Sequence, residues 1–331
     1  MFEWIGRNVL ITGASGFIGS ALVQRMNSEG AKVIALLRPK SEITNPDLIK
    51  IKSEISFKKI EINNTSKISE VISKNKIDTL FHLAANNSNF GSLESPLSLF
   101  SSNIQATWSV LEACRNNLSI ERIVVASSRE AQYLFNSENN TSQLKTKNIW
   151  RPYQVSKISA ELIALAYADT YDLPIVISKK DNVYGGGDLN WNRLIPSILK
   201  NILNGHLPVL RSDGNLHRNY LYIDDVIEAL IILAENSNKD GIKGKIVDVT
   251  TENSNTAIEI INYVNELNNI ANISPIILNE SLTERDDKSI TKSNTINLIG
   301  WSNKTEIKQG LNKTINWYKE YFKLNNKIKF K

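Results

Sequence analysis

The chain has 331 residues, 41% of them apolar and 22% charged, a length that suits one large α/β unit with a smaller partner. No run approaches the roughly 18 consecutive apolar residues of a membrane helix, so no membrane partner is expected. The net charge of +5 is spread thinly and partly gathered in Lys323, Lys327, Lys329 and Lys331; no basic stripe interleaved with aromatics points to nucleic acid.

The first run, Asn8–Thr12, reads as a strand. Before it there is no basic region, long apolar core or cleavage site, so the expectation is a cytoplasmic protein without a signal peptide. Further strand-like runs are Lys32–Leu37, Phe57–Ile62, Thr79–Leu83, Arg122–Ser127 and Pro174–Ser178. Helical patterns fall between them at Phe17–Glu29, Lys67–Lys74, Asn103–Asn116 and Tyr153–Tyr171. Short apolar runs alternating with helices predict βαβ units and a doubly wound parallel sheet, a Rossmann domain over residues 1–184. After Gly185-Gly186-Gly187 the pattern changes. Helices are expected from Trp191 to Leu203, over Asp225–Ala234 and over Leu311–Phe322, with Lys245–Val249 a strand returning to the first domain. Residues 185–331 are otherwise expected to form a smaller C-terminal α/β cap that binds substrate.

Between the first strand and the first helix stands Thr12-Gly13-Ala14-Ser15-Gly16-Phe17-Ile18-Gly19. Glycines at this spacing allow a tight turn, close backbone approach to a pyrophosphate and close helix–strand packing. The helix N-terminus adds unpaired N–H groups and partial positive charge. The expected cofactor is therefore NAD or NADP. At the end of the second strand an NAD enzyme usually carries an acid, but here stands Arg38. An arginine can pair with a 2′-phosphate, stack on adenine or face solvent; its presence tilts the choice toward NADP.

Of ten tyrosines, only Tyr153 has a lysine four residues later, Lys157. On a helix the two share a face. A neighbouring ammonium favours the phenolate and brings a tyrosine within range of general-base work. The serine pair Ser127-Ser128 closes the run before this helix, at a strand C-terminus where open sheets bind ligands. Ser128 is read as the hydrogen-bond partner of the reacting hydroxyl, with a turn cap as the alternative. The single cysteine, Cys114, lies in an apolar helical pattern and reads as buried and structural. His82 reads as packed and hydrogen-bonded. His206 and His217 are isolated, so no metal site is expected. Asp224 and Asp225 read as an N-terminal helix cap.

Taken together, these residues resemble the extended short-chain dehydrogenase/reductases of the nucleotide-sugar epimerase/dehydratase family. The resemblance runs from about residue 6 to residue 322. It rests on the glycine motif, DTLFHLAA at 78–85, Asn103, Ser127-Ser128, Tyr153 with Lys157, RNYLYIDDV at 218–226 and LIGW at 298–301. The stretch from Tyr184 to Arg193, with RSDG at 211–214, looks especially like relatives of CDP-glucose 4,6-dehydratase.

The resemblance implies cofactor contacts from Gly13, Ser15, Gly16, Phe17, Ile18 and Gly19. It places Glu61 and Ile62 beside the adenine and Leu83, Ala84 and Ala85 on the nicotinamide side, with Asn103 near the active site. Tyr153 and Lys157 would serve both catalysis and cofactor binding. Ser128, Arg129, Asn182, Arg193, Arg211, Arg218 and Arg285 would hold a nucleotide-diphosphate sugar. It also implies a homodimer through the helices at 103–116 and 153–171, with apolar residues such as Val110, Leu111, Leu162, Ile163 and Leu165 on their faces. Trp301 and Trp317 would fasten the C-terminal helix.

Departures from the family pattern bear on the reaction. Dehydratases place an acid after the Ser/Thr, and here that position is Arg129, which does not donate a proton near pH 7. Glu130 remains as a base. The Arg-Cys-Gly usual before Asn182 is Lys179-Lys180-Asp181. The implied function is transient oxidation at sugar C4, leaning to a 4-epimerase of polysaccharide biosynthesis. The alternatives are a 4,6-dehydratase, a sugar-uronate decarboxylase, or a protein that binds cofactor and sugar nucleotide without catalysis.

Overall fold

Strand β1 (Asn8–Thr12), fully buried from Val9 onward, is an inner strand of a seven-stranded parallel sheet. The structure, a computed structural model, describes residues 3–86, 95–134, 151–252, 254–270, 273–280 and 294–329. In chain order the other strands are β2 (Lys32–Leu37), β3 (Ser56–Lys59), β4 (Thr79–His82), β5 (Arg122–Ser128) and β6 (Ile175–Lys180). These are followed by β7 (Asn182–Tyr184), β8 (Val209–Leu210), β9 (Arg218–Tyr222), β10 (Lys245–Val249), β11 (Ser254–Asn255) and β12 (Ile276–Ile277). The longer helices are α1 (Phe17–Ser28), α2 (Pro46–Lys50), α3 (Thr65–Lys74), α4 (Pro96–Phe100), α5 (Ala106–Arg115) and α6 (Pro152–Tyr171). Then come α7 (Leu194–Leu203), α8 (Ile223–Asn236), α9 (Ala257–Leu267) and α10 (Ile307–Lys329).

The sheet order is β10-β6-β5-β4-β1-β2-β3. Order reverses between β1 and β4, the switch point at which open α/β sheets bind ligands. One face of the sheet, from Leu10, Leu80, Ile123, Val125, Ile175 and Ile177, packs against Ile68 and Ile72 of α3, Val110, Leu111 and Cys114 of α5, and Ala164 and Ala168 of α6. Cys114 is fully buried, and burial pushes its thiol far above the ordinary range. It is a core residue, as its apolar pattern suggests.

The chain divides into two compact units. The first comprises residues 1–180, 227–249 and 293–301 and holds the seven-stranded sheet; the second comprises 181–226, 250–292 and 302–331. The boundary falls within α8.

Several boundaries differ from the sequence expectations. Strand β3 ends at Lys59, so Glu61 and Ile62 lie in the turn after it, where Asn64 N–H donates to the Glu61 carbonyl at 2.9 Å. Strand β4 ends at His82, one residue early. The helix expected from Asn103 begins further back. It runs as α4, a π-helical turn over Ser101–Gln105 and then α5, with Asn103 inside the turn. Val110 and Leu111 are fully buried in the sheet's core, so they are not surface; on α5 and α6 the exposed large apolar side chains are Trp108, Leu162 and Tyr171.

In the second unit β9 lies between β11 and β7, and β8 pairs with β12 in parallel. Gly186 lacks a side chain because Trp317 lies over it; a Cβ there would stand 2.5 Å from the indole Cγ. Trp317 also stacks on Tyr321 at 5.3 Å, while Trp301 belongs to the first unit. Asp224 and Asp225 sit inside the first turn of α8 rather than before it. The Asp225 carboxylate accepts from Thr305 N–H at 2.9 Å and Thr305 Oγ1 at 3.2 Å, so it anchors the chain just before α10. Its role as a cap serves another segment than the one expected.

Candidate active site

The glycine motif forms a cradle that no larger residue can occupy. Gly13 has φ of +69°, and a Cβ on it would stand 2.8 Å from the backbone N and Cα of Ala84. A Cβ on Gly19 would meet the Gly13 carbonyl oxygen at 2.1 Å. Gly16 caps α1 without any side-chain cap bond, so the cap residue itself leaves the helix's first N–H groups open. Open N–H groups at a helix start, with backbone brought this close, fit the pyrophosphate of a dinucleotide.

A chain of hydrogen bonds joins this cradle to Asn103. Ala84 N–H donates to Thr12 Oγ1 at 3.2 Å, and Thr12 Oγ1 and His82 Nδ1 are 2.9 Å apart. Thr107 donates its hydroxyl to the Asn103 carbonyl at 2.6 Å, and His82 Nε2 lies 3.3 Å from Thr107 Oγ1. Because each hydroxyl has one proton, this sequence assigns His82 the Nε2–H tautomer. Burial, with Lys157's charge, lowers its pKa to about 3, so it stays neutral. His82 is therefore packed and hydrogen-bonded.

Asn103 in turn locks the start of α6. Its Nδ2 donates to Ser156 Oγ at 2.9 Å and to the Asn86 carbonyl at 3.1 Å, and its Oδ1 accepts from Asn86 N–H at 2.7 Å. Ser156 donates to the Tyr153 carbonyl at 2.7 Å. The π-helical turn presents Asn103 inward, since a widened turn re-aims its side chains relative to the flanking α-helix.

Tyr153 and Lys157 begin α6 and are both buried. The Lys157 ammonium donates to the Ala126 carbonyl at 3.2 Å, two residues before Ser128. Burial holds its pKa down at about 8, against the pull of Glu161. Ser128 ends β5, and its Oγ accepts from Glu130 N–H at 3.4 Å, an Ser-turn that starts the 3-10 helix Arg129–Leu134. The structure thus brings Ser128, Arg129, Glu130, Asn103, Tyr153 and Lys157 to the C-terminal end of one sheet. Arg129 is buried and Glu130 half-buried.

Other expected residues fall as follows. Ser15, Phe17 and Ile18 line the cradle and the start of α1, all half-buried; Leu83, Ala84 and Ala85 follow β4. Arg38 is exposed just past β2, and its carbonyl caps the turn by accepting from Ser41 N–H and Oγ. In the second unit, Asn182 and Arg218 share one face of β7 and β9, whose register pairs Asn182 with Tyr220. Asn182 Nδ2 donates to the Asn219 carbonyl at 3.2 Å. Arg193 is paired with buried Asp188 at 2.9 Å, and Arg211 lies 4.0 Å from Glu280. Arg285 lies outside the described residues.

Sequence reasoning missed a buried trio between α6 and the strands β5 and β6. Ser127 donates to Glu161 at 2.5 Å, and Glu161 pairs with Lys179 at 3.1 Å. The available signal was Glu161's spacing of four residues from Lys157. Lys180 stood out in the sequence only as part of the Lys179-Lys180-Asp181 departure, with no sign that its ammonium is buried at the end of β6.

A model of the NAD dependent epimerase/dehydratase family matches residues 9–249. A trifunctional UDP-glucose 4,6-dehydratase/3,5-epimerase/reductase of Arabidopsis thaliana is 28% identical over 323 residues, covering 95% of this chain and 47% of that protein. The chain thus spans about half the length of that plant relative. A crystal structure of dTDP-glucose 4,6-dehydratase from Bacillus anthracis in complex with NAD superposes with a TM-score of 0.78 at 26% identity, covering 95% of this chain and 97% of that one. A UDP-glucose 4-epimerase from Thermotoga maritima, solved with UDP-glucose, shares the fold at a TM-score of 0.80 and 21% identity, covering 95% and 99%.

Proposed function

The chain belongs to the NAD dependent epimerase/dehydratase family, and on that footing we propose that it oxidises the C4 hydroxyl of a nucleotide-diphosphate hexose transiently and returns a 4-epimerised sugar. The observation that carries this reading is the bond from Lys157 Nζ to the Ala126 carbonyl, which sets the Tyr153 helix against the strand ending in Ser128.

Tyr153 takes the proton from the C4 hydroxyl. The Lys157 ammonium, four residues on, favours the phenolate that does so. Ser128 Oγ donates to the same sugar oxygen as it becomes a carbonyl. A nicotinamide cofactor held at the Gly13–Gly19 cradle would supply the acceptor for the C4 hydride and its return. Asn103 keeps Ser156 and the start of α6 in place while the proton moves. In this reading the diphosphate is the ligand of Asn182, Arg193, Arg211, Arg218 and Arg285, since guanidinium groups bind phosphate oxygens in a fork.

Arg129 favours epimerisation, because the residue after Ser128 offers a buried guanidinium rather than an acid for expelling a C6 hydroxyl. The second reading is 4,6-dehydration, with Glu130 as the base at C5; it is favoured by the retention of Glu130 and by the activity named for the Bacillus anthracis structure. Arg38 supports NADP over NAD. The exposed Trp108 and Leu162 support a homodimer, and a cytoplasmic setting suits such an enzyme.

The test is incubation of the purified full chain with CDP-, UDP-, GDP- and dTDP-hexoses, read by mass spectrometry and NMR. Epimerisation gives a product of unchanged mass with an inverted C4 signal. A product lighter by one water overturns it in favour of dehydration, and firm binding without turnover with any sugar overturns catalysis.

A further inference from the structure

Lys180 is the last residue of β6, and its Cα stands in register with Ser128, the last residue of β5. Its side chain is 6% exposed. The ammonium donates to the carbonyl oxygens of Ser127 at 3.2 Å and Ser178 at 3.3 Å. Both acceptors are uncharged, and no carboxylate among the described residues pairs with it. Its neighbour Lys179 points to the other face of the strand, where Glu161 neutralises it. Two buried amines therefore occupy consecutive carbonyls of β5, Lys157 on Ala126 and Lys180 on Ser127, immediately before Ser128.

We propose that Lys180 is a further positioning residue of this end of the sheet, a second buried amine whose charge acts on Lys157 and, through the same field, on the Tyr153 hydroxyl. The proposal rests on the reading of Tyr153 as the base. A buried amine held only by carbonyls is costly, and an apolar side chain of similar length fills the same space at less expense. Repulsion between two ammonium groups in a poorly screened interior is mutual. Burial first, and Lys157's charge second, lower the Lys180 pKa to about 7, so Lys180 changes charge close to neutrality. When it is charged, the phenolate of Tyr153 is favoured.

Among the described residues, the charge that acts on Lys180 is that of Lys157. On β5 no ionisable side chain precedes Arg129 among residues 123–128, and the register partner on β10 is Val249. Asp248 is the register partner of Lys179 and shares that residue's face. His82 is neutral. The carboxylate of Asp181 is engaged by Thr250 Oγ1 and by Thr251 N–H.

The experiment needs no substrate. Tyrosinate absorbance of the full chain is titrated with NAD present, and the same curve for Tyr153→Phe is subtracted, which isolates Tyr153. Lys180→Met is expected to move the isolated midpoint up by about one pH unit, the scale of one nearby charge. Lys180→Arg, with a permanent charge, is expected to leave it at or below the wild-type value. Folded Lys180→Met and Lys180→Gln proteins with an unmoved midpoint overturn the proposal while leaving Tyr153 as the base. So does a Lys180→Arg midpoint that rises. The absence of any difference between wild type and Tyr153→Phe overturns the base assignment itself.

Discussion

Ser127 and Glu161 are joined by a 2.5 Å hydrogen bond that fastens the middle of helix α6 to the end of strand β5. Glu161 also pairs with Lys179 at 3.1 Å, both side chains being about nine-tenths buried. The trio therefore fixes the distance between the strand carrying Ser128 and the helix carrying Tyr153 and Lys157. Removing one partner of a buried pair strands the other charge. Glu161→Ala is expected to destabilise the fold by about 3 kcal/mol, measured by urea unfolding, whereas Lys179→Met with Glu161→Gln together is expected to lose much less.

Gly19→Ala places a methyl group where the Gly13 carbonyl already stands. The loop and α1 have to separate, and the cradle opens. Cofactor affinity is expected to fall at least ~10-fold, about 1.4 kcal/mol, with a lower melting temperature; fluorescence titration and a thermal scan read both. Unchanged NAD affinity removes the pyrophosphate assignment.

The proposed catalytic pair carries a pH dependence whose sign follows from burial. Lys157 is lowered from 10.5 to about 8 in the folded chain, so the unfolded chain binds its proton more tightly. The contribution of this residue to stability is present above 10.5 and is lost as pH falls through about 8. In catalysis the direction reverses. Above about 8 the ammonium that favours the Tyr153 phenolate is discharged, and kcat/KM is expected to decline there. Lys157→Met is expected to abolish that alkaline limb along with about 10²–10⁴-fold of the rate.

Glu130→Gln separates the two reactions. A 4-epimerase uses only the oxidation machinery and is expected to keep its rate within about tenfold. A dehydratase that draws the C5 proton with Glu130 loses about 10²–10⁴-fold. Product NMR with the preferred nucleotide sugar decides between them.

Arg38→Ala tests the cofactor's adenosine end. If the guanidinium meets a 2′-phosphate, the ratio of NADP to NAD affinity falls by about tenfold. An unchanged ratio places the side chain in solvent, where its exposure already puts much of it.

Much of this was legible in the residues alone, for reasons of local chemistry. A glycine triplet between a strand and a helix has few uses, and the positive φ at Gly13 and the crowding at Gly19 show the tight turn and close packing such a triplet allows. Parallel strands buried on both faces write themselves as apolar runs, so Asn8–Thr12, Lys32–Leu37 and Lys245–Val249 match the structure residue for residue. A tyrosine and a lysine four apart lie on one helix face whatever surrounds them. The rest depends on partners far away in sequence. Asn103 turns inward because a π-helical turn interrupts its helix, a choice made by packing rather than by propensity. Glu161 meets Ser127 and Lys179 only because β5 and β6 run side by side beneath α6. Lys180 reads as an ordinary charged residue in a lysine-rich chain, and only the tertiary structure buries its amine beside Lys157. Burial, register and the sharing of charge arise between elements distant in sequence, and no local pattern encodes them.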